Sequence, residues 1–127
     1  MTRNVLVVKD EADLRLMTRL MFESRTQFQV LEASTGEQAV KLVESEPVDV
    51  MLLDLRLPDM EGWEVLDALT DKGLFPALPV VMVTAHSTPS AATRRALERG
   101  VRGYVRKPFT AEELLEVVRV ALGEDLD

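Results

Sequence analysis

The 127-residue chain has no cysteine, which excludes disulfides, thiolate metal sites and cysteine nucleophiles. It has a single histidine, His86, so a histidine metal cluster is not expected. No apolar run approaches the length that crosses a bilayer. Met1 to Asn4 lack the long apolar stretch of a secretory signal, so the expected setting is cytoplasmic, with no membrane contact. Basic residues are outnumbered, 15 Lys and Arg against 22 Asp and Glu, for a net charge of −7. That balance argues against direct nucleic-acid binding by this chain. Internal repeats, linkers and low-complexity segments are also missing. What remains is a globular composition, 46% hydrophobic and 29% charged, of a length that fits one domain over residues 1–127 with a core from about 4 to 122.

Within that core, short apolar runs alternate with longer amphipathic segments. Val5-Leu6-Val7-Val8, Val48 to Leu53 and Leu78 to Val83 read as strands buried on both faces. Phe28 to Glu32 is a more mixed strand, and Val101 to Val105 a short last one. Between them lie helical patterns. Leu14, Met17, Leu20 and Met21 recur at helical spacing over about Glu11 to Ser24. A second helix starts near Ser34-Thr35-Gly36-Glu37 and presents Ala39, Val40 and Val43. Trp63, Leu66 and Leu69 predict a third, with Trp63 packing it. A fourth begins at Ser87-Thr88-Pro89-Ser90, carries Ala92, Ala96 and Leu97, and stops at Gly100. Thr110-Ala111-Glu112-Glu113 caps a fifth, with Leu114, Leu115, Val118 and Leu122 inward. Gly123 to Asp127 are expected to fray. Five βα units predict an α/β fold with a parallel sheet, doubly wound.

In an open parallel sheet, sites form beyond the carboxyl ends of the strands. The residues there are Lys9, Asp10 and Glu11, then Asp54, then Thr84 and Ala85, then Lys107. Each has a bland reading: Asp10 as a helix cap, Asp54 as a turn anchor, Thr84 as a strand terminus, Lys107 as a solvated charge. Together they bring carboxylates, a hydroxyl and an ammonium to one crevice. Facing carboxylates repel unless a cation lies between them, and Mg²⁺ suits oxygen ligands. A threonine hydroxyl and a lysine ammonium bind phosphoryl oxygens. The set suits phosphoryl transfer to an aspartate, with Asp54 as acceptor. A flavin site would want glycine after the first strand, where Lys9-Asp10-Glu11 stands. An aspartate-based phosphatase would want an acid where Arg56 stands. An enzyme is therefore not expected.

At this point the chain resembles the receiver domain of bacterial two-component response regulators. The resemblance rests on Val5 to Glu11, Asp54-Leu55-Arg56-Leu57-Pro58-Asp59-Met60-Glu61-Gly62, Val83-Thr84-Ala85 and Lys107-Pro108-Phe109. It implies the flavodoxin-like strand order 2-1-3-4-5. It implies that Asp54 takes a phosphoryl group from a histidine kinase or phosphotransfer protein. Asp10, Asp54 and the backbone carbonyl of Arg56 would bind Mg²⁺, while Thr84 and Lys107 would contact the phosphoryl oxygens. Tyr104 stands at the position of the family's aromatic switch, and Lys107-Pro108 at that of its cis peptide. Arg56 and His86 border the acyl phosphate, His86 also reading as a solvated loop residue. Output would run through the face of the fourth helix, fifth strand and fifth helix, to a downstream protein target or an output domain. The same face suggests a homodimer, with Arg94, Arg95, Arg99, Arg102 and Arg106 against Glu112, Glu113 or Glu116.

Lys9 departs from the pattern. The family has two acids after the first strand, and Lys9 replaces the first. The usual pocket of three carboxylates and one lysine carries two negative charges; here two carboxylates meet two lysines and the sum is zero. An ammonium ~6 Å from Mg²⁺ repels it by about 5 kcal/mol at an effective dielectric near 20, before solvent screening. Weakened metal binding is the leading expectation. A phosphorylation-impaired pseudo-receiver acting as a constitutive binding module is the alternative. The lysine pairing with Asp54 in place of the cation is a third reading, and a lysine swung out to solvent the plainest.

Overall fold

The computed structural model describes residues 3–84 and 91–124. Five strands and five helices alternate: β1 Asn4–Val8, α1 Ala12–Arg25, β2 Gln29–Ala33, α2 Gly36–Ser45, β3 Val50–Asp54, α3 Gly62–Asp71, β4 Val80–Thr84, α4 Ala91–Arg99, β5 Gly103–Arg106 and α5 Ala111–Ala121. All neighbouring strands are parallel, in the order β2-β1-β3-β4-β5. The expected fold class and order are both present.

Successive side chains of a strand point to opposite faces, and the sheet has a core on each. Leu6, Val8, Met51, Leu53, Val80 and Met82 join Ala39 of α2 and Val65, Leu66 and Leu69 of α3. Val5, Val7, Val50, Leu52, Val81 and Val105 join Phe22 of α1 and Leu114 and Val118 of α5. Burial on both faces is why the central strands read as unbroken apolar runs.

Strand boundaries fall one or two residues from those expected. β3 begins at Val50 because Asp49 turns back, its Oδ2 accepting from Asn4 N–H at 2.7 Å. β4 begins at Val80 because Leu78 N–H closes a turn onto the Leu74 carbonyl. The α1 stripe is only partly covered: Leu14 and Met21 are half-buried, Met17 is 65% and Leu20 55% exposed, and Phe22 alone is fully buried. Two expectations need larger correction. Trp63 is 41% exposed, since Val65, Leu66 and Leu69 take the inner side of α3. Gly123 and Glu124 do not fray, because their N–H groups bond the Val120 and Arg119 carbonyls and Glu124 pairs with Arg3. The expected start of the fourth helix at Ser87 to Ser90, His86, and residues 125–127 lie outside the described residues.

Candidate functional site

Strand register sets the site. Val8 pairs with Leu53, Asp54 with Val83, and Thr84 with Arg106. The residues following these pairs therefore share the carboxyl edge of the sheet. Asp54 ends β3 with its side chain 14% exposed. Lys9 follows β1, its N–H held by the Ala33 carbonyl at 3.0 Å. Lys107 follows β5, and its peptide bond to Pro108 is cis, as the resemblance implies.

The central contact is an ion pair. Lys9 Nζ lies 2.7 Å from Asp54 Oδ2 and is 10% exposed, so the lysine is not swung out to solvent. Lys107 Nζ lies 3.5 Å from the same oxygen. Glu11 Oε1 reaches Lys9 at 3.7 Å from an exposed position. Burial is the largest single influence on the Lys9 ammonium and pushes it toward neutrality, but its hydrogen bonds and the charges of Asp54 and Glu11 together exceed that and leave its pKa above the ordinary value. For Lys107 burial dominates, the neighbouring Lys9 charge adds to it, and the more distant Asp54 fails to compensate; its pKa falls. One carboxylate oxygen faces two ammoniums, and the nearer holds it.

The turn carrying Lys9 and Asp10 is clamped by Arg15, whose guanidinium donates to the Lys9 carbonyl at 2.7 Å and the Asp10 carbonyl at 3.0 Å. Asp10 itself is exposed. Arg56 donates its N–H weakly to Asp54 Oδ1 at 3.4 Å and pairs in an antiparallel bridge with Glu61. Tyr104 is half-buried against the core on the α2 and α3 face. Thr84 ends β4 beside β3, and its side chain lies outside the described residues. The structure thus brings Lys9, Asp54 and Lys107 together. Asp10 and Arg56 flank them.

These residues fit a resident Mg²⁺ poorly. One oxygen of Asp54 is already held by the Lys9 ammonium. Among the described residues no group of three or more His, Asp or Glu side chains converges on a metal position.

Two residues that position the loop stand in the sequence reading only within the stretch that carries the resemblance. A Cβ on Gly62 would lie 2.4 Å from the Asp54 carbonyl oxygen, so only glycine lets α3 start that close to β3. Asp59 reaches across to α2, accepting from the N–H groups of Gly36 at 2.8 Å and Glu37 at 3.0 Å. Desolvation raises the Asp59 pKa, but these donors together with the backbone N–H groups of Asp59 and Met60 exceed it and lower the pKa. Of the proposed dimer charges, Arg99 pairs internally with Asp67 at 2.5 Å, and Glu112 with Arg25 at 2.9 Å.

The sequence profile of the response regulator receiver domain matches residues 5–119. The transcriptional regulatory protein KdpE of Mycobacterium tuberculosis is 40% identical over 118 residues, covering 93% of this chain and 50% of that protein. This chain thus spans about half the length of that relative. The chemotaxis protein CheY4 of Vibrio cholerae superposes with a TM-score of 0.86 at 25% identity, over 95% of this chain and 99% of that one. The receiver domain of the Pseudomonas aeruginosa sensor histidine kinase PA1611, solved with magnesium in its active-site cleft, gives 0.84 at 24% identity, covering 98% and 100%.

Proposed function

Because this chain belongs to the response regulator receiver domain family, a family of two-component signalling modules, we propose that it accepts a phosphoryl group on Asp54 under the restraint of Lys9. An Asp54 oxygen attacks phosphorus, the bond from phosphorus to the donor's histidine nitrogen breaks, and that nitrogen leaves with the electron pair. Lys107 and Thr84 receive the phosphoryl oxygens. Mg²⁺, held in the family's manner by Asp10, Asp54 and the Arg56 carbonyl, would neutralise charge there, but it must compete with an ammonium already on Asp54. The observation that carries this reading is the 2.7 Å contact between Lys9 Nζ and Asp54 Oδ2. It supports slow, weakly Mg²⁺-dependent phosphorylation. Tyr104 and the α4, β5 and α5 face would relay the change to a target protein or an attached output domain, in the cytoplasm. No helix among the described residues is long and apolar enough to cross a membrane. The face could also pair two copies.

The test is intact-mass detection of phosphorylation by acetyl phosphate, with and without Mg²⁺. Wild-type protein is expected to gain one phosphoryl group slowly, Asp54→Ala none, and Lys9→Asp one rapidly and only with Mg²⁺. Wild-type protein that never reacts, beside a reactive Lys9→Asp, would make the chain a pseudo-receiver whose ion pair holds one state. The same contact favours that second reading.

A further inference from the structure

The poorly buried face of α1 borders a groove. Val7, Leu52 and Val83 form its floor, Met17 and Leu20 of α1 one wall, and Leu114 of α5 the other. Its volume is about 730 Å³, the size of a small-molecule site. At its end by the carboxyl edge of the sheet stand Lys9, Asp54 and Lys107. Along the groove's lining the two ammoniums exceed the one carboxylate by a positive charge, while Asp10, which brings the whole pocket to neutrality, stands exposed outside that lining. Glu11 offsets it only partly, being 63% exposed and screened by water. Lys107 lies 3.5 Å from Asp54, farther than Lys9 at 2.7 Å, so the carboxylate holds it less tightly. An open apolar groove that ends beside two ammoniums is complementary to an anion with an apolar body.

We propose that this groove binds a small amphipathic anion, with its apolar body between α1 and α5 and its single oxygen-acid head on Lys107 and Lys9. Nothing in this requires Asp54 to be a phosphoacceptor. Asp54 opposes the ligand, since its carboxylate competes with the head for both ammoniums. Replacing it with asparagine is therefore expected to tighten binding while abolishing phosphorylation, so the two readings fail separately.

The experiment titrates the full chain with 1-anilinonaphthalene-8-sulfonate and, in parallel, with N-phenyl-1-naphthylamine, the same ring system without the acid. The expected result is one saturable site, at least tenfold tighter for the sulfonate. Asp54→Asn should tighten the sulfonate severalfold. Lys107→Gln should weaken it about tenfold and leave the neutral probe unchanged. Leu20→Glu, at an exposed position that leaves the fold intact, should abolish both. Equal affinity for the two probes would assign the groove to an uncharged body such as a partner's apolar side chains, and would overturn the proposal. So would indifference to Lys107→Gln. So would probe release on self-association in sedimentation, which would give the groove to a second copy.

Discussion

Lys9 is the residue on which the chemistry turns. Its replacement of an acid was legible in the sequence, and so was its effect on pocket charge. Where its ammonium would sit was not. A lysine stem has four rotatable bonds, and the choice between solvent and Asp54 depends on the spacing of β1 and β3, which adjoin in the sheet. The ion pair makes a pH prediction. The Lys9 pKa is raised in the folded chain, so its contribution is fully present below the ordinary value of 10.5 and is lost as pH rises through the folded one. Lys107 has the opposite sign. Its pKa is lowered, so the unfolded chain binds more protons between the folded and ordinary values, and stability gains there as pH rises. Urea midpoints from pH 8 to 11 should show Lys9→Gln destabilising most at the low end, with its penalty shrinking above 10.5. Lys107→Gln should stabilise below that window and lose its benefit across it. A Lys9→Gln penalty constant across the range would show that its charge does not act on Asp54.

At the scale of elements, the strands were the most legible feature, because a parallel strand covered on both faces needs apolar residues without alternation. α5 was legible for a different reason: Thr110 and Glu113 exchange side-chain bonds with each other's backbone, a capping box visible in the sequence. α1 was not. Its period of Leu14, Met17, Leu20 and Met21 marks a helix with an apolar face, but periodicity cannot say whether a neighbour covers that face. Here the gap toward α5 leaves it open, and the helix is anchored by Phe22, whose ring meets Phe28 edge-on at 5.6 Å. Phe22→Ala is accordingly expected to cost about 3–5 kcal/mol in urea unfolding, the range for losing a buried phenylalanine. Leu20→Ala, at an exposed position on the same helix, should change stability by about 0.5 kcal/mol or less. Equal costs would mean that the groove is closed in solution and α1 is packed along its whole stripe.

For the molecule as a whole, strand order was legible only through the resemblance, since five βα units are compatible with several parallel orders. The order matters because it places the switch in chain direction between β1 and β3, and a crevice opens at such a point. Asp54 lies there by topology, and Lys9 reaches it because β1 is the neighbouring strand. The fold therefore delivers the Asp54 carboxylate, and the side chain beside it supplies the ammonium that pairs with it. That division predicts a whole-molecule measurement. A ligand that binds only the folded state stabilises by RT ln(1 + [L]/Kd), about 2.7 kcal/mol at a hundred times Kd, which moves Tm by roughly 10 °C for a domain of this size. With 10 mM MgCl₂ the wild-type chain should shift by less than about 2 °C, because Lys9 already neutralises Asp54. Lys9→Asp should begin lower without Mg²⁺, since it sets a second carboxylate against Asp54, and should recover by several degrees with it. CaCl₂ and KCl at matched ionic strength separate site binding from screening. A wild-type shift as large as the variant's would mean that the ammonium yields its place to the metal, leaving the acceptor site as open as in a receiver with two acids.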